Sequence, residues 1–129
     1  MYISTGVLFY SDNPVKLILQ VDSEIGRYYK SLIPKYISCN KQKFQTHISV
    51  VRKVIPPNMQ FWNKYQGKSV EFEYDNEIHF CETYFWINAF STELEFIRSE
   101  LGLPLGSKIK APHGFMHTFH ITLGNRKYL

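Results

Sequence analysis

His47-Ile48-Ser49-Val50 and His120-Ile121-Thr122-Leu123 carry one pattern twice: a histidine, an isoleucine, a small hydroxyl residue, then an apolar residue. On an extended strand successive side chains alternate faces, so His47 and Ser49 share one face while Ile48 and Val50 share the other. His120 and Thr122 are set in the same way against Phe119, Ile121 and Leu123. Each strand therefore offers an apolar face to a core and an imidazole-plus-hydroxyl face to somewhere wetter. That wetter place is the candidate active site.

Outward from the first copy, Phe44 to Val54 is β-branched and alternating, and Pro56-Pro57 breaks it. Upstream, Tyr2 to Tyr10 reads as a strand that ends in the turn-forming cluster Ser11-Asp12-Asn13-Pro14. From Val15 the apolar positions Leu17, Ile18, Val21, Ile25, Tyr28, Tyr29 and Leu32 step by three and four, which predicts a helix that Pro34 stops. A short helix is expected over Asn58 to Tyr65. Val70, Phe72 and Tyr74, a turn at Asp75-Asn76, then Ile78 and Phe80 read as a hairpin, followed by a strand from Thr83 to Phe90. Ser91 caps a helix buried through Leu94, Ile97 and Leu101 and closed by Gly102 and Pro104. A loop from Leu105 to Gly114 leads to the last strand, Met116 to Leu123.

The expected order is β-α-β-α-β-β-β-α-β, an α+β fold, and no linker or low-complexity tract divides residues 1–129 into more than one domain. Each half carries a helix, then an H-x-S/T strand, then a basic pair, Arg52-Lys53 or Arg126-Lys127. This weak duplication predicts two lobes facing each other across a cleft.

The chain is long enough, at 129 residues and 44% apolar, to bury a core without disulfides or metal. Nine Tyr and ten Phe exceed what a domain this small needs for its interior, so some rings are candidates for binding surface. A net charge of +4 favours anionic partners yet falls short of the basic density of a duplex-DNA binder, so a small phosphate ligand fits better. Cys39 and Cys81 lack metal-type spacing, and no stretch reads as a secretory signal or a membrane span. Both are read as free thiols in a soluble, cytoplasmic protein.

Cleaving a phosphodiester needs a base for the attacking oxygen, an acid for the leaving oxygen, and donors for the charge that develops on phosphorus-bound oxygens. Two histidines supply the first two near neutral pH. Ser49 and Thr122 supply the third, because each hydroxyl sits two residues from a histidine on the same face. No metal and no cofactor is required. Such a set works best where a neighbouring 2′-oxygen is already poised, as in RNA or a 2′,3′-cyclic phosphate, which makes DNA a poor substrate.

These two motifs resemble the paired H-x-[ST]-x signatures of the 2H phosphoesterase superfamily. The resemblance implies a bilobal, pseudo-two-fold α+β fold, with antiparallel sheets lining a central cleft and helices packed outside. It also implies metal-independent phosphodiesterase activity, with His47 and His120 as the general acid and base, in either order, and Ser49 and Thr122 as phosphate-binding residues. Size and element order are similar to compact viral members that hydrolyse cyclic di- or oligonucleotide signals of antiviral defence, which would place the protein in the host cytoplasm. RNA 2′,3′-cyclic phosphates are the other expected substrate. The chain ends soon after Thr122, so a C-terminal segment that closes the pocket in longer relatives is expected to be missing.

Beyond the motifs, Tyr10 and Phe115 are candidates to stack a base, with core packing as the plainer role. Lys53 and Arg126, each six residues past a motif histidine, would face the phosphate if the strands ran on, with a solvated strand end as the plainer fate of both. His113, His117 and His120 invite a zinc reading, but Pro112 and Gly114 flank His113, and on a strand His117 and His120 project to opposite faces, so no metal site is expected. His79 and Cys81 share a strand face and are read as packing or surface residues, and Trp62 and Trp86 as structural. The competing functions are a sponge that binds a cyclic nucleotide or RNA end without cutting it, and a general single-stranded RNA binder. Oligomeric state is left open.

Overall fold

The computed structural model describes residues 1–34, 37, 39–41 and 45–126, without the side chains of 40, 41 and 126. In β1 (Tyr2–Asp12) Gly6 and Leu8 are buried while Val7 and Phe9 face outward. The chain turns at Asn13-Pro14 and returns as β2 (Val15–Gln20), antiparallel to β1, with Leu8 opposite Leu19 and Phe9 opposite Ile18.

The helix expected from Val15 is therefore corrected to a strand followed by a shorter helix, α1 (Ser23–Ser31). On a helix Leu17 and Leu19 would lie about 200° apart, and only one could face the core. As a strand β2 buries both completely, worth about 2 kcal/mol each against leaving one exposed. Helix propensities differ by only a few tenths of a kcal/mol per residue, too little to compete. α1 begins where Asp22 accepts the Glu24 N–H at 2.9 Å, and it buries Ile25 and Tyr29.

The remaining elements are β3 (Cys39–Lys41), β4 (His47–Val51), β5 (Ser69–Tyr74), β6 (His79–Phe80), β7 (Tyr84–Phe90), α2 (Thr92–Glu100) and β8 (Phe119–Arg126). A single 3₁₀ turn at Met59–Phe61 stands where a longer helix was expected. The predicted strand start at Phe44 lies outside the described residues. Ser91 caps α2 by accepting the Leu94 N–H, and Leu94 and Ile97 are buried beneath it.

The strands form one antiparallel sheet in the order β3-β8-β4-β2-β1-β5-β7-β6, and β7 pairs with β8 as well. Six strands thus close into a ring, β1-β2-β4-β8-β7-β5. The first half supplies β1, β2, α1 and β4. The second supplies β5, β7, α2 and β8 in the same order and with the same internal pairing. The halves join through β1 with β5 and through β4 with β8. Both helices contribute to one hydrophobic cluster with Leu8, Leu19, Ile48, Phe72, Ile87 and Ile121. Among the described residues no helix is long and apolar enough to cross a membrane. The protein is an α+β protein built on an antiparallel sheet, with two α-helices among the described residues.

Candidate active site

The two motif strands are neighbours, and they meet at the isoleucines: Ile48 of β4 pairs with Ile121 of β8. Continued one residue either way, this antiparallel register sets His47 across from Thr122 and Ser49 across from His120. A local two-fold axis then passes through the isoleucine pair. Ile48 and Ile121 are fully buried, while the histidines and hydroxyl residues are half-buried on the other face. His47 and His120 become diagonal neighbours, positions that in antiparallel pairs lie roughly 7–8 Å apart, a separation that two imidazoles can close around one phosphate.

All four motif residues line one groove of about 880 Å³. Its other walls include Lys16, Arg52, Tyr84, His117 and Asn125. No aspartate or glutamate is among the described residues that line it.

Each motif strand then breaks its pleat at the same place. Against β2, Ser49 pairs with Ile18 but Val51 pairs with Leu17, so Val50 is an extra residue in β4. Against β7, Thr122 pairs with Trp86 but Gly124 pairs with Phe85, so Leu123 is extra in β8. A bulge of this kind reverses the parity of the residues beyond it. Arg52 and Asn125, five positions after each histidine, consequently reach the groove. Lys53, the residue favoured by an unbroken pleat, lies past the end of β4, exposed and with a φ of 59°. The side chain of Arg126 and all of Lys127 lie outside the described residues. The signal for the bulge was present in the sequence as two consecutive buried-type residues after each hydroxyl, Val50-Val51 and Leu123-Gly124.

His47 is oriented by its own strand. Its Nδ1 lies 2.7 Å from the Gln45 carbonyl oxygen. A carbonyl only accepts, so Nδ1 carries the hydrogen and Nε2 is the atom free to exchange a proton. Gln20, opposite His47 on β2, donates its amide to the Gln45 side chain and so buttresses the same segment. From behind, α1 presses on Thr46: a Cβ on Gly26 would come within 2.6 Å of the Thr46 hydroxyl oxygen.

His120 is held by aromatic packing. Its ring stacks on Trp86 at 5.0 Å between centroids, and His79 stacks near Trp86 at 5.7 Å. Trp86 donates its Nε1–H to the Asn88 side-chain oxygen at 2.8 Å, which turns the Asn88 amide nitrogen toward His79 Nε2 at 3.1 Å. Asp75 is 3.2 Å from the same nitrogen of His79 and also accepts the Asn88 backbone N–H. Trp86 and His79 are thus not isolated packing residues but the support of a motif histidine. Burial, and secondarily the charge of His79 when protonated, hold His120 below the usual histidine range.

His117 was expected on the face opposite His120. It lines the same groove, because β8 begins only at Phe119 and the alternation does not reach back to His117. Its Nδ1 accepts the Gly106 N–H at 3.2 Å, so the ring hydrogen is on Nε2. Burial, then the Arg98 charge and that of His120 when protonated, push its pKa down to about 4. His117 is therefore a neutral donor throughout the physiological range. The buried Glu95 carboxylate of α2 accepts the N–H groups of Met116 and His117 and fixes this approach to β8.

Tyr10 and Phe115 do not join the motif residues. Tyr10 projects to the core side of β1 and packs edge-on against Trp62 at 4.9 Å, while Phe115 packs against Phe90 at 5.4 Å. Phe9, one residue earlier on the outward face of β1, is the β1 aromatic that lines the groove. His113 is exposed, and no group of three or more His, Cys, Asp or Glu side chains among the described residues is placed to hold a metal.

Comparisons with protein-family models, curated proteins and solved structures return no match to this chain.

Proposed function

We propose that the protein is a metal-independent phosphodiesterase of the 2H type, acting on cyclic di- or oligonucleotides or on RNA 2′,3′-cyclic phosphates. The observation that carries this reading is the Ile48–Ile121 pair, which brings two distant histidine-hydroxyl motifs onto one face around a local two-fold axis. The duplicated strand-strand-helix-strand order and the matched bulges support the bilobal, pseudo-symmetric form of that fold. The groove volume supports a ligand larger than a mononucleotide.

His120, whose buried position favours the neutral ring, accepts the proton of the attacking oxygen. His47 delivers a proton from Nε2 to the leaving oxygen while the Gln45 carbonyl keeps its ring in place. Ser49 and Thr122 donate to the non-bridging oxygens, where one well-aimed donor contributes about 10²–10³ in rate.

The test is incubation with 2′,3′-cyclic mononucleotides, 2′-5′ oligomers and cyclic dinucleotides, with EDTA present, followed by chromatography. Turnover by the wild type is expected to fall about 10²–10⁴-fold in His47→Ala and in His120→Ala. A ribonucleoside 3′-nitrophenyl phosphodiester separates the roles. Its leaving group needs no acid, so His47→Ala retains far more activity on it than His120→Ala. Ligands recovered intact, with binding preserved in both variants, would identify a sponge instead.

A further inference from the structure

The two halves of the groove are equivalent in backbone but opposite in chemistry. Ile18 and Trp86 occupy matching positions, opposite Ser49 and Thr122. Two residues earlier on those strands stand Lys16 and Tyr84, and just beyond the matched bulges stand Arg52 and Asn125. All four line the groove. Continued one residue past the pair Leu17–Val51, the register sets Lys16 across from Arg52. The wing past Ser49 therefore carries two cations, while the wing past Thr122 carries a phenol and a neutral amide.

We propose that Lys16 and Arg52 form a second phosphate subsite, and that the substrate is an oligonucleotide whose flanking phosphate sits there while the scissile phosphate lies between the histidines. Two residues of strand span about 7 Å, comparable with the step between successive phosphates of an extended nucleotide chain. Arg52 offers a planar fork of donors and Lys16 a point charge, a combination suited to a dianionic or bridging phosphate. Among the described residues no carboxylate stands on the groove wall to repel a second negative charge. The neutral wing, with Tyr84 beside the His120 ring at 6.4 Å, is left for the sugar and base on the other side of the scissile bond. The chain is then bound in one direction only, and mononucleotide cyclic phosphates become poor substrates because they leave the cationic wing empty.

This rests on the phosphodiesterase reading for the central phosphate, and its test is a binding measurement that needs no turnover. The probes are the deoxydinucleotide dApdA, which lacks the internal 2′-nucleophile, and its 5′-phosphorylated and 3′-phosphorylated forms, titrated by calorimetry. One phosphorylated form is expected to bind the wild type about tenfold or more tightly than dApdA, since a charged hydrogen bond contributes that much. The advantage shrinks with added salt. Arg52→Gln, at an exposed position just past β4, and Lys16→Gln each narrow it, and the double variant reduces it to less than twofold. Equal binding of all three ligands by the wild type, or an advantage that survives in the double variant, overturns the subsite. Tightened binding without cleavage of any ribonucleotide would leave the subsite standing and remove the phosphodiesterase reading, and the reverse result would do the opposite.

Discussion

An imidazole has two nitrogens, and what each histidine can do is set by the partner that claims one of them. Gln45 takes the Nδ1 hydrogen of His47, whereas Gly106 gives its N–H to Nδ1 of His117. His47 is left with a nitrogen that exchanges protons, and His117 with one that only donates. None of this is legible from residue types. Alternation, a property of each strand by itself, put His47 with Ser49 and His120 with Thr122, but extending β8 back past Phe119 put His117 on the wrong face. The partners lie far off in the chain and no local pattern announces them. The depressed pKa of His117 has a consequence for stability. In the unfolded chain it titrates near 6.5, while in the folded protein it stays neutral until about 4. Its contribution is complete above pH 6.5 and is lost as pH falls through that window, since the unfolded chain binds the extra proton. Allowing for partial exposure to the groove, the loss is on the order of 2 kcal/mol. Denaturant unfolding between pH 7 and pH 4 is expected to show the wild type losing about that much more stability than His117→Gln, and parallel curves would contradict the assignment.

At the level of elements, the bulge in β4 does what the sequence alone obscured. An unbroken pleat brings Lys53 to the groove, but the extra residue at Val50 brings Arg52 there instead, and the doubled apolar pairs after Ser49 and Thr122 are the trace of this. β2 was hidden in a different way. Leu17, Ile18 and Val21 fit a helical stripe that α1 really does continue, and only the burial of Leu17 together with Leu19 distinguishes the strand. Hydrophobic spacing could not decide between the two because six residues sample less than two helical turns. The bulge also needs a support, because its carbonyl has left the regular ladder. Arg98 of α2 supplies it, donating Nη1–H to the Val50 carbonyl at 2.7 Å while its other nitrogens bind the Pro104 carbonyl. Replacing Arg98 by Met keeps the length of the stem but leaves the Val50 carbonyl unsatisfied. Chemical denaturation should then report a loss of about 2 kcal/mol, with faster amide exchange confined to the bulged part of β4. A loss spread evenly over the sheet would mean that Arg98 serves general packing and not the bulge.

Over the whole molecule, duplication and closure pull in different directions. The repeated strand-strand-helix-strand order describes two halves, yet β1 pairs with β5 and β4 with β8, so each half completes the ring of the other. The buried cluster follows the ring, with Leu8, Leu19 and Ile48 from one half packed in the same body as Phe72, Ile87 and Ile121 from the other. The site depends on this closure, because neither histidine has its partner hydroxyl across the strand pair until both halves are in place. The doubled motif leads the sequence to predict two lobes, but the pairings between the halves join residues distant along the chain, which no window of local sequence contains. A welded ring should unfold as one unit. Trp62 lies in the first half, packed on Tyr10, and Trp86 in the second, stacked beside His120. Single-tryptophan variants made by Trp86→Phe and Trp62→Phe therefore report on opposite halves. In each variant the fluorescence transition should coincide with that variant's own far-ultraviolet circular dichroism transition, as two-state unfolding requires. If either half melts ahead of the secondary structure, the lobes fold separately, and the histidine pair would then form only in a docking step after folding.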